Sequence, residues 1–82
     1  MFRIEYASQS KKFLKNSDKN TAERIINKLE QIRENPFHFL EHYEGEYYKL
    51  RIGDYRALLD IDFEKKLITV QVLDKRGRIY KR

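Results

Sequence analysis

The last eight residues, Lys75-Arg76-Gly77-Arg78-Ile79-Tyr80-Lys81-Arg82, hold five basic side chains and no acidic one, whereas residues 1–74 hold 13 of each sign. The whole net charge of +5 therefore sits in the tail. Such a segment seeks anions, with nucleic-acid phosphate the commonest partner and an acidic protein surface the next. A second group of cations, Lys49, Arg51 and Arg56, flanks Gly53-Asp54. If those two residues form the centre of a hairpin turn, Ile52 pairs with Tyr55, Arg51 stands opposite Arg56, and Lys49 shares their face. Like charges opposed across a ladder lie about 5 Å apart and destabilise it by a fraction of a kcal/mol, so a compensating anion is expected. Two arginines beside a basic tail can hold phosphate oxygens in fork geometry and neutralise charge growing on a phosphorane-like transition state. The plainer alternative is a surface network in which Asp60, Asp62 or Glu46 pairs with these arginines. Tyr47, on the face of Lys49 and Arg51, and Tyr80, within the tail, can each stack on a base, which favours single-stranded RNA or DNA. Tyr48 and Tyr55 are expected to cover core edges instead.

Other chemistries find little support. The string His38-Phe39-Leu40-Glu41-His42 matches H-x-x-E-H of one class of zinc proteases, but that motif needs a helix in a larger scaffold and a further ligand. Here it follows Asn35-Pro36 in an expected loop, so the histidines are read as packing or hydrogen-bonding groups and no metal is expected. There is no Ser-His-Asp order, no Gly-rich phosphate loop and no cysteine. No cofactor is expected, and any chemistry should be metal-free on an exposed face.

The elements that must position these residues follow from length and periodicity. Eighty-two residues suggest one domain spanning 1–82. No apolar run approaches the roughly 18 residues of a membrane span and no leader opens the chain, so a cytoplasmic protein without membrane contacts is expected. Phe2, Ile4 and Tyr6 alternate with Arg3 and Glu5 as a strand would. Ser8 is placed as the N-cap of a short helix carrying Phe13 and Leu14, and Ser17 or Asp18 as the cap of a second. Ala22, Ile25, Ile26, Leu29 and Ile32 mark the apolar face of that second helix, which Asn35-Pro36 closes. Residues 37–45 are expected to be a connecting loop. Three strands then meander. Tyr48, Leu50 and Ile52 share one face; so do Tyr55, Ala57, Leu59 and Ile61 after the turn; and Ile68, Val70 and Val72 follow a second turn at 63–66. The fold class is α+β in the order β-α-α-β-β-β, an N-terminal strand and helical hairpin packed on an antiparallel sheet whose other face meets water.

Two segments, Tyr48-Lys49-Leu50-Arg51-Ile52-Gly53-Asp54-Tyr55-Arg56 and Leu73-Asp74-Lys75-Arg76-Gly77-Arg78-Ile79-Tyr80, together with Asn35-Pro36-Phe37, resemble the RelE toxins of the RelE/ParE superfamily. The tail most resembles archaeal RelE sequences. The resemblance implies a ribosome-dependent endoribonuclease that enters the A site and cuts the mRNA there, with a cognate RelB-like antitoxin as partner. It implies phosphate-stabilising roles for Arg56 and Arg76, basic strand positions at Lys49 and Arg51, and a C-terminal tyrosine at Tyr80. A lysine of some relatives aligns with Tyr47, and the Gly-His-Arg of many relatives is replaced by Asp74-Lys75-Arg76, which removes a histidine base. For such an RNase the ribose 2′-hydroxyl attacks the adjacent phosphate, Lys49 or Tyr80 accepts the proton, and Arg51, Lys75, Arg78, Lys81 and Arg82 hold phosphates of mRNA or ribosomal RNA. The alternatives are a ParE-like inhibitor of DNA gyrase and a non-catalytic RNA-binding module.

Overall fold

Period-two alternation builds the strands of this chain, and two helices lie between the first of them and the rest. The computed structural model describes residues 1–36, 41–42 and 47–75. The elements are β1 Arg3–Tyr6, α1 Ser8–Asn16, α2 Lys19–Ile32, β2 Glu41–His42, β3 Tyr48–Ile52, β4 Tyr55–Asp62 and β5 Leu67–Lys75. They make one sheet in the order β1-β5-β4-β3-β2.

The expected α+β class and element order hold, with two corrections. The sheet is mixed, because β1 lies parallel to β5, with Ile4 opposite Ile68 and Tyr6 opposite Val70. Parallel neighbours need a long crossover, and here everything between the first and last strands supplies it. Within the expected loop 37–45, Glu41–His42 form a short strand against Lys49 and Tyr48; the rest of that segment lies outside the described residues. The extended backbone at Glu41–His42 also departs from the helix that an H-x-x-E-H zinc site requires.

Both helices lie on one face. Ile25, Leu29 and Ile32, at positions i, i+4 and i+7 of α2, are fully buried against Leu50, Ile52, Ala57, Leu59, Ile61, Ile68, Val70 and Leu73. Ile26, expected on the same stripe, is instead 38% exposed, one helical step off it. Asp18 caps α2: its carboxylate accepts from the Thr21 N–H at 3.2 Å and the Thr21 hydroxyl at 2.6 Å. These bonds hold the Asp18 carboxyl below the usual carboxylate range. Ser8 is not a cap. Ala7 takes that position without a side-chain bond, and its N–H goes to the Val70 carbonyl at 3.0 Å.

The end of α2 is tied to the first strand, with the Phe2 N–H donating to Arg33 O at 2.9 Å and Arg33 Nε donating to Phe2 O at 2.8 Å.

The last strand contains the largest surprise. Leu59 pairs with Val70 but Leu58 with Val72, so Gln71 is an extra residue in a β-bulge. The bulge resets the alternation, which puts Leu73 rather than the expected Val72 in the core. It also puts Asp74 on the outer face, directly opposite Arg56. Beyond Val70 the short β1 no longer covers β5, and α1 takes over. Ser10 Oγ donates to Val70 O at 2.8 Å, while the Gln9 amide donates to Leu73 O at 2.8 Å and accepts from Leu73 N at 2.9 Å.

Candidate nucleic-acid interface

Gly53-Asp54 form the expected two-residue turn, with Gly53 at φ +58°, a conformation that favours glycine. The register follows from it: Ile52 faces Tyr55, Arg51 faces Arg56, and Lys49 faces Leu58. The cations of the hairpin thus share the face away from the helices, with Lys49 half-buried and Arg51 exposed. Tyr47, just before β3, is 42% exposed. The ladder position across the other edge from Lys49 belongs to Glu41.

Arg56 differs from its neighbours. It is only 3% exposed, and its Nη1 donates to the carbonyls of Tyr55 at 3.0 Å and Gly53 at 3.3 Å. The next rung position holds Asp74, itself 5% exposed, whose Oδ1 accepts from the Lys75 N–H at 2.8 Å. Arg51, Arg56 and Asp74 therefore form one cross-strand row, running from an exposed cation through a buried one to a buried carboxylate. With Leu58 also buried, this end of the outer face is not simply left to water, which corrects the expectation.

The acidic partners considered from sequence lie elsewhere. Asp62 accepts from the Lys65 N–H at 3.0 Å in the second turn, and Asp60 stands opposite Thr69. Glu46 lies outside the described residues. Asp74 is the acidic residue that sequence alone did not place beside Arg56. Its position depends on the Gln71 bulge, and the only local hint was an acidic residue ending an apolar run.

Tyr48 and Tyr55 pack against the core as expected, Tyr55 meeting Phe13 edge to face at 5.9 Å. Lys75 is exposed and pairs with Tyr55, so β5 ends at the level of the hairpin turn. Arg76, Arg78, Tyr80, Lys81 and Arg82 lie outside the described residues. Among the described residues no group of His, Asp and Glu side chains could hold a metal ion. No helix among them is long and apolar enough to cross a membrane.

An α+β fold with a cationic hairpin face and a last strand ending beside it defines a recognisable class. Residues 4–80 match the family described as ParE toxin of type II toxin-antitoxin system, parDE. The chain belongs to this family, within the RelE/ParE superfamily of toxins, which includes ribonucleases. No curated protein sequence matches it significantly.

Among solved structures, the chain is similar to the archaeal RelE–RelB complex from Pyrococcus horikoshii OT3 at 25% identity and TM-score 0.76, covering 94% of this chain and 97% of that one. The toxin-antitoxin complex RelBE2 from Mycobacterium tuberculosis matches at 16% identity and TM-score 0.81, over 92% and 98% of the two chains. The intact E. coli RelBE complex matches at 20% identity and TM-score 0.78, over 92% and 96%. At these last two identities the likeness concerns the fold.

Proposed function

We propose that this toxin is a ribosome-dependent endoribonuclease of the RelE type, cutting mRNA in the ribosomal A site. The observation that supports this reading most is the cationic row itself: Lys49 and Arg51 on one strand, Arg56 across from them, and a last strand that ends at Lys75 beside the same hairpin turn. In the proposed mechanism the 2′-hydroxyl attacks the adjacent phosphorus, the 5′-oxygen leaves, and a 2′,3′-cyclic phosphate remains. Arg56 and Arg76 neutralise the charge on the transition state. Arg56 enters this role by exchanging the carbonyls of Gly53 and Tyr55 for phosphate oxygens.

Arginine stays protonated and is a poor base, so Lys49 in its neutral form takes the 2′-hydroxyl proton, water protonates the departing 5′-oxygen to a 5′-hydroxyl, and Tyr80 orients the nucleophile or stacks a base. Tyr47, Arg51, Lys75, Arg78, Lys81 and Arg82 bind RNA. A face with so few acids and bases relies on the ribosome to orient its substrate. A RelB-like antitoxin is the proposed protein partner, since structural relatives are crystallised with RelB. A basic surface suits an acidic segment that folds on binding.

The match to the ParE toxin family favours one second reading, inhibition of DNA gyrase without catalysis. Both are tested together. In a translating extract the wild-type chain should cut mRNA inside codons, and Arg76→Ala should lose cutting while keeping its far-UV circular dichroism. Intact mRNA together with inhibited gyrase supercoiling establishes the second reading instead.

A further inference from the structure

On the side of the hairpin turned toward α2 lies an open notch of about 330 Å³. Arg24, Asn27, Lys28 and Gln31 of α2 form one wall, and Arg51 and Gly53 form the other. The helical residues are spaced i, i+3, i+4 and i+7, a single stripe about 10 Å long at ~1.5 Å per residue. Every side chain of that stripe is a cation or an amide, and among the described residues no acidic one lines the notch. Glu23 and Glu30, the carboxylates of α2, fall roughly a quarter to a third of a turn away from it. Arg24, Asn27, Gln31 and Arg51 are exposed, so the wall is open to a ligand.

The arginine of this wall is seated against the turn. A Cβ added to Gly53 would stand 2.5 Å from Arg24 Nη2, so the bare glycine is what lets the guanidinium lie over the hairpin. Arg24 and Lys28 thus stand at one opening, and Arg51, whose strand position lines it, also belongs to the row with Arg56 on the other face.

We propose that this notch is a second RNA contact, taking phosphodiester oxygens of ribosomal RNA while the opposite side of the hairpin engages mRNA. The inference rests on the ribosome-dependent reading above. The lining chooses the ligand class. Guanidinium, ammonium and carboxamide groups donate to phosphate oxygens, and the stripe matches the axial length of about three nucleotides at ~3.4 Å each. A peptide that folds on binding needs apolar anchors to offset its ordering, and among the described lining residues the one apolar side chain, Ile52, is already buried in the core.

The test measures binding of the full-length chain to isolated ribosomes and to a single-stranded RNA oligonucleotide across a potassium chloride series. The variants are Arg24→Gln/Lys28→Gln and the charge-retaining Arg24→Lys/Lys28→Arg. The first should bind ribosomes at least tenfold more weakly near physiological salt, with the slope of log affinity against log salt reduced by roughly 1.4–1.8, about 0.7–0.9 for each lost phosphate contact. The second should keep most of both, and thermal unfolding should show both variants folded.

A loss confined to ribosomes supports the site and assigns ribosomal RNA as its source. An equal loss on the oligonucleotide supports a phosphate site but overturns that assignment. Unchanged salt slopes on both RNAs overturn the proposal, and so does a defect seen only with an acidic antitoxin peptide. A wild-type chain that binds neither RNA defeats the ribosome-dependent reading itself, an outcome visible before any variant is compared.

Discussion

Arg56 is the residue on which the chemistry proposed for the hairpin and the hairpin's stability meet. Its guanidinium is buried, hydrogen-bonded to the carbonyls of its own turn, and placed on the rung beside the buried Asp74. Removing a buried charge next to an opposite one leaves the survivor with its desolvation cost. Arg56→Ala should therefore lower stability in urea unfolding by about 1–3 kcal/mol, and Arg56→Ala/Asp74→Ala should recover part of that loss. Strictly additive losses would show that the two residues do not sense each other. Arg51, exposed on the opposite strand, should show the reverse balance: Arg51→Ala should weaken RNA binding with a change in stability within about 0.5 kcal/mol. The opposition of Arg51 and Arg56 was legible in the sequence, since a two-residue Gly-Asp turn fixes the register around it. The burial of Arg56 was not legible, because it depends on what the bulged last strand sets beside it.

Elements, rather than single side chains, determine where the last strand points. β1 covers β5 only as far as Val70, and from there the first turns of α1 complete its edge through Ser10 and Gln9. Gln9 is the clamp, satisfying both backbone groups of Leu73 just after the bulge. Gln9→Ala should leave both groups without that partner and cost about 1–3 kcal/mol. It should also raise hydrogen exchange at Leu73 more than at Ile68, whereas uniform exchange would deny the clamp.

The cap of α2 carries the pH dependence. Hydrogen bonds from Thr21 lower the Asp18 pKa in the folded chain, so the stability they give is present above the ordinary carboxyl value of about 3.9 and fades as pH falls through the lower folded value. Asp18→Asn should keep a serviceable cap yet flatten that part of the acid dependence, measured as melting temperature between pH 6 and pH 2.5.

At this scale sequence and structure agree on the helices and on β3 to β5, where apolar periodicity is strong. They part at Val72 and Leu73, because a bulge is a product of pairing between strands and leaves little local trace. They part again at β1, whose choice of β5 as a parallel neighbour is set by the whole topology.

The whole molecule places helices on one face of a sheet and a cationic hairpin on the other, with a basic tail following the strand beside it. The tail carries the entire net charge of +5. RNA binding should accordingly weaken steeply with salt, and deleting residues 76–82 should flatten that dependence more than any single substitution on the hairpin. The tail's basic composition and the family resemblance were both legible from residue types and order. The notch shared by α2 and the turn was not, since it joins residues 20 to 29 positions apart through the packing of α2 near β3.

The central claim, that guanidinium groups of the hairpin and of the tail act on one ribonucleotide linkage, is tested most directly by mapping mRNA ends on programmed ribosomes. Wild-type chain should yield a new 3′ end carrying a 2′,3′-cyclic phosphate within the A-site codon, and Arg56→Lys and Arg76→Ala should each slow its appearance at least a hundredfold, about 2.7 kcal/mol of barrier, while remaining folded. Full-length mRNA with the wild-type chain, or undiminished cutting by folded Arg76→Ala, would contradict the account.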